Sequence, residues 1–368
     1  MQQTTFDHDF RSYELKVELA KCFNGIVYLA QHRPSRRHVA VKKFLMEDIK
    51  NDFNFIMEES KHLREFDHPN ILSYHTAFVH NLDLYFILPL MCFGSCRDTM
   101  SNYFETGLPE IVLACILRDV VNGLEYLHRK GYIHRSIRAS HIFLNESRAV
   151  IGGFRVCTSF LGEGKRVKTM HELPPHSTKS LNWLAPEVLA QNLLGYTEKS
   201  DIYSLGIMTC ELANGVEPFS NFQTTLMLTE KMRGYQPQLL DCTTIPSEEV
   251  FAQAMESGGV GDSGSSQTRQ IYASRQFSDA LHKFAELCLV AVSGGSRYGF
   301  LAASAVPWSR RTRLAQAQVD QFIGVRFGNS QDLLGDCHVT REWEVPGGED
   351  GVGFRGEFEQ FVENILLV

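Results

Sequence analysis

Apolar positions in the first ninety residues alternate or run in short blocks. Tyr13–Leu19, Ile26–Gln31 and His38–Phe44 read as strands. Asp52–Phe66 breaks that rhythm, because Phe55, Glu59, His62, Leu63 and Phe66 recur at helical steps. Ile71–Val79 and Leu82–Leu90 then read as a strand pair turning at His80–Asn81. From Gly94 onward the period becomes helical. Glu110–Lys130 places Ile111, Ala114, Leu117, Val121, Leu124 and Leu127 on one face and stops at Gly131. Ile142–Leu144 and Ala149–Gly152 are short strands, Lys199–Asn214 is an apolar helix stopped by Gly215, and Phe277–Leu289 is helical. The pattern predicts an α+β fold in two units. A strand-rich unit at 13–91 follows an extension at 1–12, and a helical unit spans 92–289.

Two stretches depart from this regularity. Residues 256–266 are Gly/Ser-rich and are expected to form an unstructured loop. After Leu289 the character shifts: Val290–Ala305 is rich in small residues and Pro346–Gly356 in Gly and Glu. Gly356–Val368 sets Phe358, Phe361, Val362, Ile365 and Leu366 on one helical face, so a core-packing helix is expected there. We treat 290–368 as a divergent region.

Composition narrows the function classes. Apolar residues are 43% and charged residues 21%, as in ordinary globular chains. The formal net charge of −7 argues against nucleic acid or an anionic membrane as the main partner. No run reaches the length of a membrane span, and Met1–Phe10, with Asp7 and Asp9, lacks the apolar core of a secretory leader. The nine cysteines show no metal-ligand spacing and are expected as scattered thiols.

Short motifs identify the chemistry. Val39-Ala40-Val41-Lys42 ends on a lysine of the kind that holds nucleotide phosphates, and Glu59 in the following helix is placed to pair with it. His134-Arg135-Ser136, Ala185-Pro186-Glu187 and Asp201-Ile202-Tyr203-Ser204-Leu205-Gly206 follow in order. Together these resemble the protein kinase family over residues 13–289, which implies a bilobal kinase-like fold. The resemblance places Val27 and Ala40 above an adenine and Phe143 below it. It also implies that Leu63, His134 and Phe154 stack through both lobes.

The departures matter more than the matches. Kinase chemistry needs a carboxylate near the acceptor hydroxyl and oxygen ligands for magnesium. The corresponding positions here are Ser136, His141 and Gly153. A neutral imidazole is a poor ligand for a hard cation, so no metal is expected and catalysis is expected to be lost. Ala20 and Cys22 also replace two glycines of the phosphate loop, leaving Gly25. Lys42 and Glu59 persist, and a buried ammonium needs a partner. The expectation is therefore ATP binding without magnesium. Arg138 and Arg155 would supply the missing positive charge, since guanidinium groups grip phosphate bidentately. For Arg155 a pair with an acidic neighbour in the activation segment is the alternative.

Gly131–Ile142, Glu187–Tyr196, Lys199–Ser204, Glu211–Gly215 and Leu239–Asp241 resemble the sterile-20-related adaptor pseudokinases more specifically. That resemblance implies an allosteric role, cytoplasmic and nuclear. Such proteins hold the liver kinase B serine/threonine kinase active together with the calcium-binding protein 39 scaffold. It nominates segment 155–187, with Lys165, Arg166, Lys168 and Lys179, as the partner-docking surface. A weakly active serine/threonine kinase and a nucleotide-free scaffold are the competing readings. Two features strain the resemblance. Arg297 is displaced from where a partner for Glu187 is expected, and Trp343-Glu344-Val345 is a faint, internal echo of the family's terminal Trp-Glu-Phe.

Overall fold

The computed structural model describes residues 6–22, 25–45, 52–162, 165–191, 193–245 and 264–290. The small lobe is a five-stranded antiparallel sheet of order β1-β2-β3-β5-β4, with β1 Tyr13–Cys22, β2 Gly25–His32, β3 Arg37–Leu45, β4 Thr76–His80 and β5 Asp83–Pro89. Its register sorts the side chains. Val27 lies opposite Lys42, Lys42 opposite Phe86 and Ala40 opposite Leu88, so these residues share one face. Val39, Val41, Tyr85 and Ile87 take the other face and pack with Tyr13, Phe6 and Phe10. Helix α1, Phe53–Glu65, packs Ile56 beside the first face, while its Leu63 joins the large core and its His62 meets the rings of Phe66 and Tyr132.

The large lobe is built on α3, Glu110–Arg129, and α5, Lys199–Asn214, whose buried residues join one continuous core. Shorter elements complete it. They are helices α2 Cys96–Tyr103, α4 Pro186–Ala190, α6 Thr224–Met232, α7 Gly264–Ser274 and α8 Asp279–Leu289, and strands β6 Tyr132–Ile133, β7 Ile142–Leu144, β8 Ala149–Ile151, β9 Thr158–Ser159, β10 Leu161–Gly162 and β11 Lys165–Arg166. Gly206 lets α8 approach α5 closely: a Cβ there would stand 2.8 Å from the Cys288 Cβ.

Several boundaries differ from the sequence reading. The run Ile71–Val79 is not one strand, because Ile71 instead bridges to Ile151 in the large lobe and Leu72 donates its amide to the Ile151 carbonyl. Those apolar residues serve the lobe junction, and the strand starts at Thr76. Phe277 lies buried ahead of its helix, which begins after Ser278 caps the Leu281 amide. Gly264–Ser266, expected as loop, belong to α7. The rest of 256–266 and the helix expected at 356–368 lie outside the described residues. Helix α2 escaped the periodicity reading, although Ser95 and Asp98 form a capping box at its start.

Candidate functional site

The two lobes face each other across a cleft of about 1830 Å³, lined by Val27, Ala40, Lys42, Glu59, Phe143, Arg138, Arg155, Ser136, His141 and Gly153. Every residue expected to touch a nucleotide is therefore brought to one cavity. Lys42 Nζ stands 3.6 Å from Glu59 Oε2, a half-buried pair that joins β3 to α1. Ala20 and Cys22 lie in its roof. Gly25 starts β2 so close to β3 that a Cβ would come within 2.6 Å of the Lys43 carbonyl.

The floor is organised by Asp201. Its carboxylate accepts the amides of His134 at 2.8 Å and Arg135 at 2.7 Å, and His128 Nε2 lies 2.8 Å away. Burial pushes this carboxyl up, but hydrogen bonds from His128 and His134 outweigh it and hold the group below the usual range. His134 Nε2 donates to the Gly152 carbonyl at 2.9 Å, and its Nδ1 accepts the Ser136 amide. Burial lowers its pKa to about 4, so the ring is neutral. Its edge meets Phe154 at 4.9 Å between centroids, and Leu63 and Phe154 share the large core. Of the three residues expected to stack through both lobes, His134 and Phe154 are in ring contact and Leu63 belongs to the same core as Phe154.

At the centre, His141 decides what the site can do. Its Nε2 lies 2.9 Å from Arg138 Nη2, which has protons to give and no lone pair to offer, so Nε2 accepts. Nδ1 then carries the proton and donates to the Ser136 carbonyl at 2.8 Å. Burial first, then Arg138, pushes the imidazole pKa well down. Ser136 Oγ also lies 3.1 Å from Nδ1, which has the look of a nucleophile–base pair. The tautomer rules it out, because the facing nitrogen holds a proton already. Gly153 completes the arrangement. Its φ is +76°, and a Cβ there would lie 2.5 Å from His141 Cγ and Nδ1. The imidazole fills the space that a side chain at 153 would need. These groups do not suit a hard cation: one nitrogen is protonated, the other is taken by a guanidinium, and Ser136 is uncharged.

Arg138 also reaches the Lys179 carbonyl and lies over the Trp183 ring. Arg155 sits in the 3-10 turn Phe154–Val156, with Nη2 2.6 Å from Asp52 Oδ1. It does pair with an acid, but one at the start of α1 and not in its own segment. Arg135 Nε donates to the Val156 carbonyl at 2.7 Å, and its Nη1 reaches Tyr196 Oη. Of the docking residues, Lys165–Arg166 form β11 in a hairpin with β10, Lys168 is exposed, and Lys179 closes a 3-10 turn lining the cleft.

One residue escaped the sequence reading. Lys231 on α6 is 1% exposed, and its Nζ donates to the carbonyls of Leu181, Asn182 and Leu184 at 3.3, 2.6 and 2.8 Å. It also faces the rings of Tyr203 and Phe219. Burial raises the Glu187 carboxyl, and the Lys231 charge draws it back. Burial pushes the Lys231 ammonium itself down to about 7, so it is a weakened cation near Glu187 and forms no ion pair with it. Glu187 Oε2 has no hydrogen-bond partner among the described residues, and Arg297 lies outside them.

Comparison with known proteins agrees with this architecture. The protein kinase domain family matches residues 13–309. The STE20-related kinase adapter protein alpha of Gallus gallus is 37% identical over 369 residues, covering 92% of this chain and 94% of that protein. The human alpha protein is 37% identical over 294 residues, covering 75% of this chain and 68% of that protein. The human STE20-related kinase adapter protein beta is 36% identical over 293 residues, with 75% and 70% covered. Among the described residues no helix is long and apolar enough to cross a membrane.

Proposed function

The chain belongs to the STE20-related kinase adapter family of the protein kinase fold, and from that membership we propose that it is a non-catalytic activator of a partner kinase. The observation that carries this reading is the interlock of Ser136, His141 and Gly153. Phosphoryl transfer depends on charge placed around the phosphates and on a positioned acceptor hydroxyl. Here a neutral ring, its arginine and a hydroxyl stand in that space, so a weak kinase is the less favoured reading.

The cleft suits ATP held without magnesium. Val27, Ala40 and Phe143 would take the base, while Lys42 and Arg138 would face the phosphates. Arg155 would add its charge by sharing or leaving Asp52. ATP supplies no chemistry in this reading. It would brace the closed arrangement that a partner recognises, lowering the ordering cost of docking. By family analogy the partner is the liver kinase B serine/threonine kinase, assembled with the calcium-binding protein 39 scaffold in the cytoplasm and nucleus. Segment 155–187 would dock it, with Lys168 and Lys179 presenting positive charge.

A thermal-shift series with ATP in EDTA or magnesium, run beside radiolabel transfer to a generic substrate, tests the reading. The expected result is an equal ATP-dependent rise in both conditions and no transfer. A rise that requires magnesium, or magnesium-dependent transfer, would overturn it. No rise in either condition would favour the nucleotide-free scaffold.

A further inference from the structure

Helix α1 begins at an aspartate that does not cap it. Asp52 occupies the N-cap position, where its carboxylate would ordinarily accept an amide of the first turn, yet it makes no such bond. The carboxylate turns outward instead. Oδ1 lies 2.6 Å from Arg155 Nη2 and 3.4 Å from His176 Nε2. Phe55, on the same first turn, meets the His176 ring edge-on at 5.4 Å and lies under the Arg155 guanidinium at 5.6 Å. Two residues of the small lobe thus grip two residues that stand 21 positions apart in the segment following Gly153. His176 takes a left-handed backbone, φ +56°, to arrive there.

We propose that Asp52 is a positioning residue that clamps the 155–176 segment to α1, with the charges arranged so that no phosphate is needed on the segment. Kinase activation loops are commonly ordered when phosphorylation creates an anion that arginines bind. The polarity here is inverted: the anion belongs to the helix, and the guanidinium and imidazole that meet it belong to the segment. Asp52 and Glu59 lie on the same helix two turns apart, so the clamp also sets the position from which Glu59 meets Lys42. Arg155 lines the cleft as well, which couples the clamp to whatever occupies it. This inference deepens the adaptor reading as its built-in regulation, but the clamp itself is a property of the folded chain and is tested without any partner.

The test is hydrogen exchange on the full chain, comparing wild type with Asp52→Asn and with the charge exchange Asp52→Arg plus Arg155→Asp. In Asp52→Asn, amides of 53–65 and of 170–180 are expected to exchange about tenfold faster together, while α3 and α5 keep their protection. The exchanged pair is expected to restore protection in both segments relative to Arg155→Asp by itself, which separates a lost clamp from lost folding. Unchanged exchange in Asp52→Asn, or faster exchange in α1 without any change in 170–180, would overturn the proposal. A clamp that passes this test in a chain that activates no partner would count against the adaptor reading and leave the clamp standing.

Discussion

A Cβ placed on Gly153 would stand 2.5 Å from the ring of His141. The two losses at these positions are therefore one structural unit: the histidine fills the space that the glycine vacates. Restoring a carboxylate at 153 without removing the ring forces a clash at a left-handed backbone. Gly153→Asp is expected to lower stability by about 1–3 kcal/mol. Adding His141→Asn should relieve most of the steric part. Denaturant titration of both variants checks this, and a single variant as stable as wild type would count against the interlock.

Magnesium dependence should appear in the same series. Among side chains at 136, 141 and 153, wild type offers only the neutral Ser136 hydroxyl, whereas the double variant His141→Asn with Gly153→Asp adds an amide oxygen and a carboxylate. ATP-dependent thermal shifts are expected to become larger in magnesium than in EDTA for the double variant and to stay equal for wild type.

Lys231 should prove as important to the large lobe as a core residue. Lys231→Met removes an amine that three carbonyls and two aromatic faces enclose, and it leaves those buried carbonyls without their donor. Leaving a buried acceptor without its donor costs about 1–3 kcal/mol. The expected result is a large loss of denaturant stability, and a change below about 1 kcal/mol would refute the role.

Acid should weaken the fold in a defined window. His134 is neutral and buried, with its pKa lowered from 6.5 to about 4. The unfolded chain takes up that proton first as pH falls, so stability is full above about 6.5 and is lost on the way down to about 4. Each unit of difference corresponds to about 1.4 kcal/mol, so His134 accounts for about 3 kcal/mol across the window. His141 is displaced in the same direction by burial and Arg138 and adds to the slope. Denaturant melts between pH 7 and 4 should show the decline, with a shallower slope in His141→Asn.

The sequence made some of this legible and hid the rest for physical reasons. Lys42, Glu59 and the degenerate positions follow from motifs, because a fixed local spacing carries them. The two long helices of the large lobe, α3 and α5, follow from periodicity, and Lys199–Asn214 matches to the residue. Asp52 could not be read in this way. Its partner Arg155 is 103 residues distant, and the contact exists because the lobes close. Lys231 gave no sign of its burial, since a lysine ordinarily faces water. The run Ile71–Val79 misled because apolar residues at a lobe junction resemble a strand. The tautomer of His141 depends on Arg138 and the Ser136 carbonyl, and no residue spacing encodes that geometry.

The most direct test of the adaptor reading is reconstitution of the full chain with the partner kinase and scaffold, reading phosphorylation of the partner's substrate. A catalytically dead partner runs alongside. The account predicts that adding the chain raises phosphorylation with the live partner and leaves the dead partner silent. Phosphate transfer that persists with the dead partner would contradict it, because the chain itself would then be the kinase.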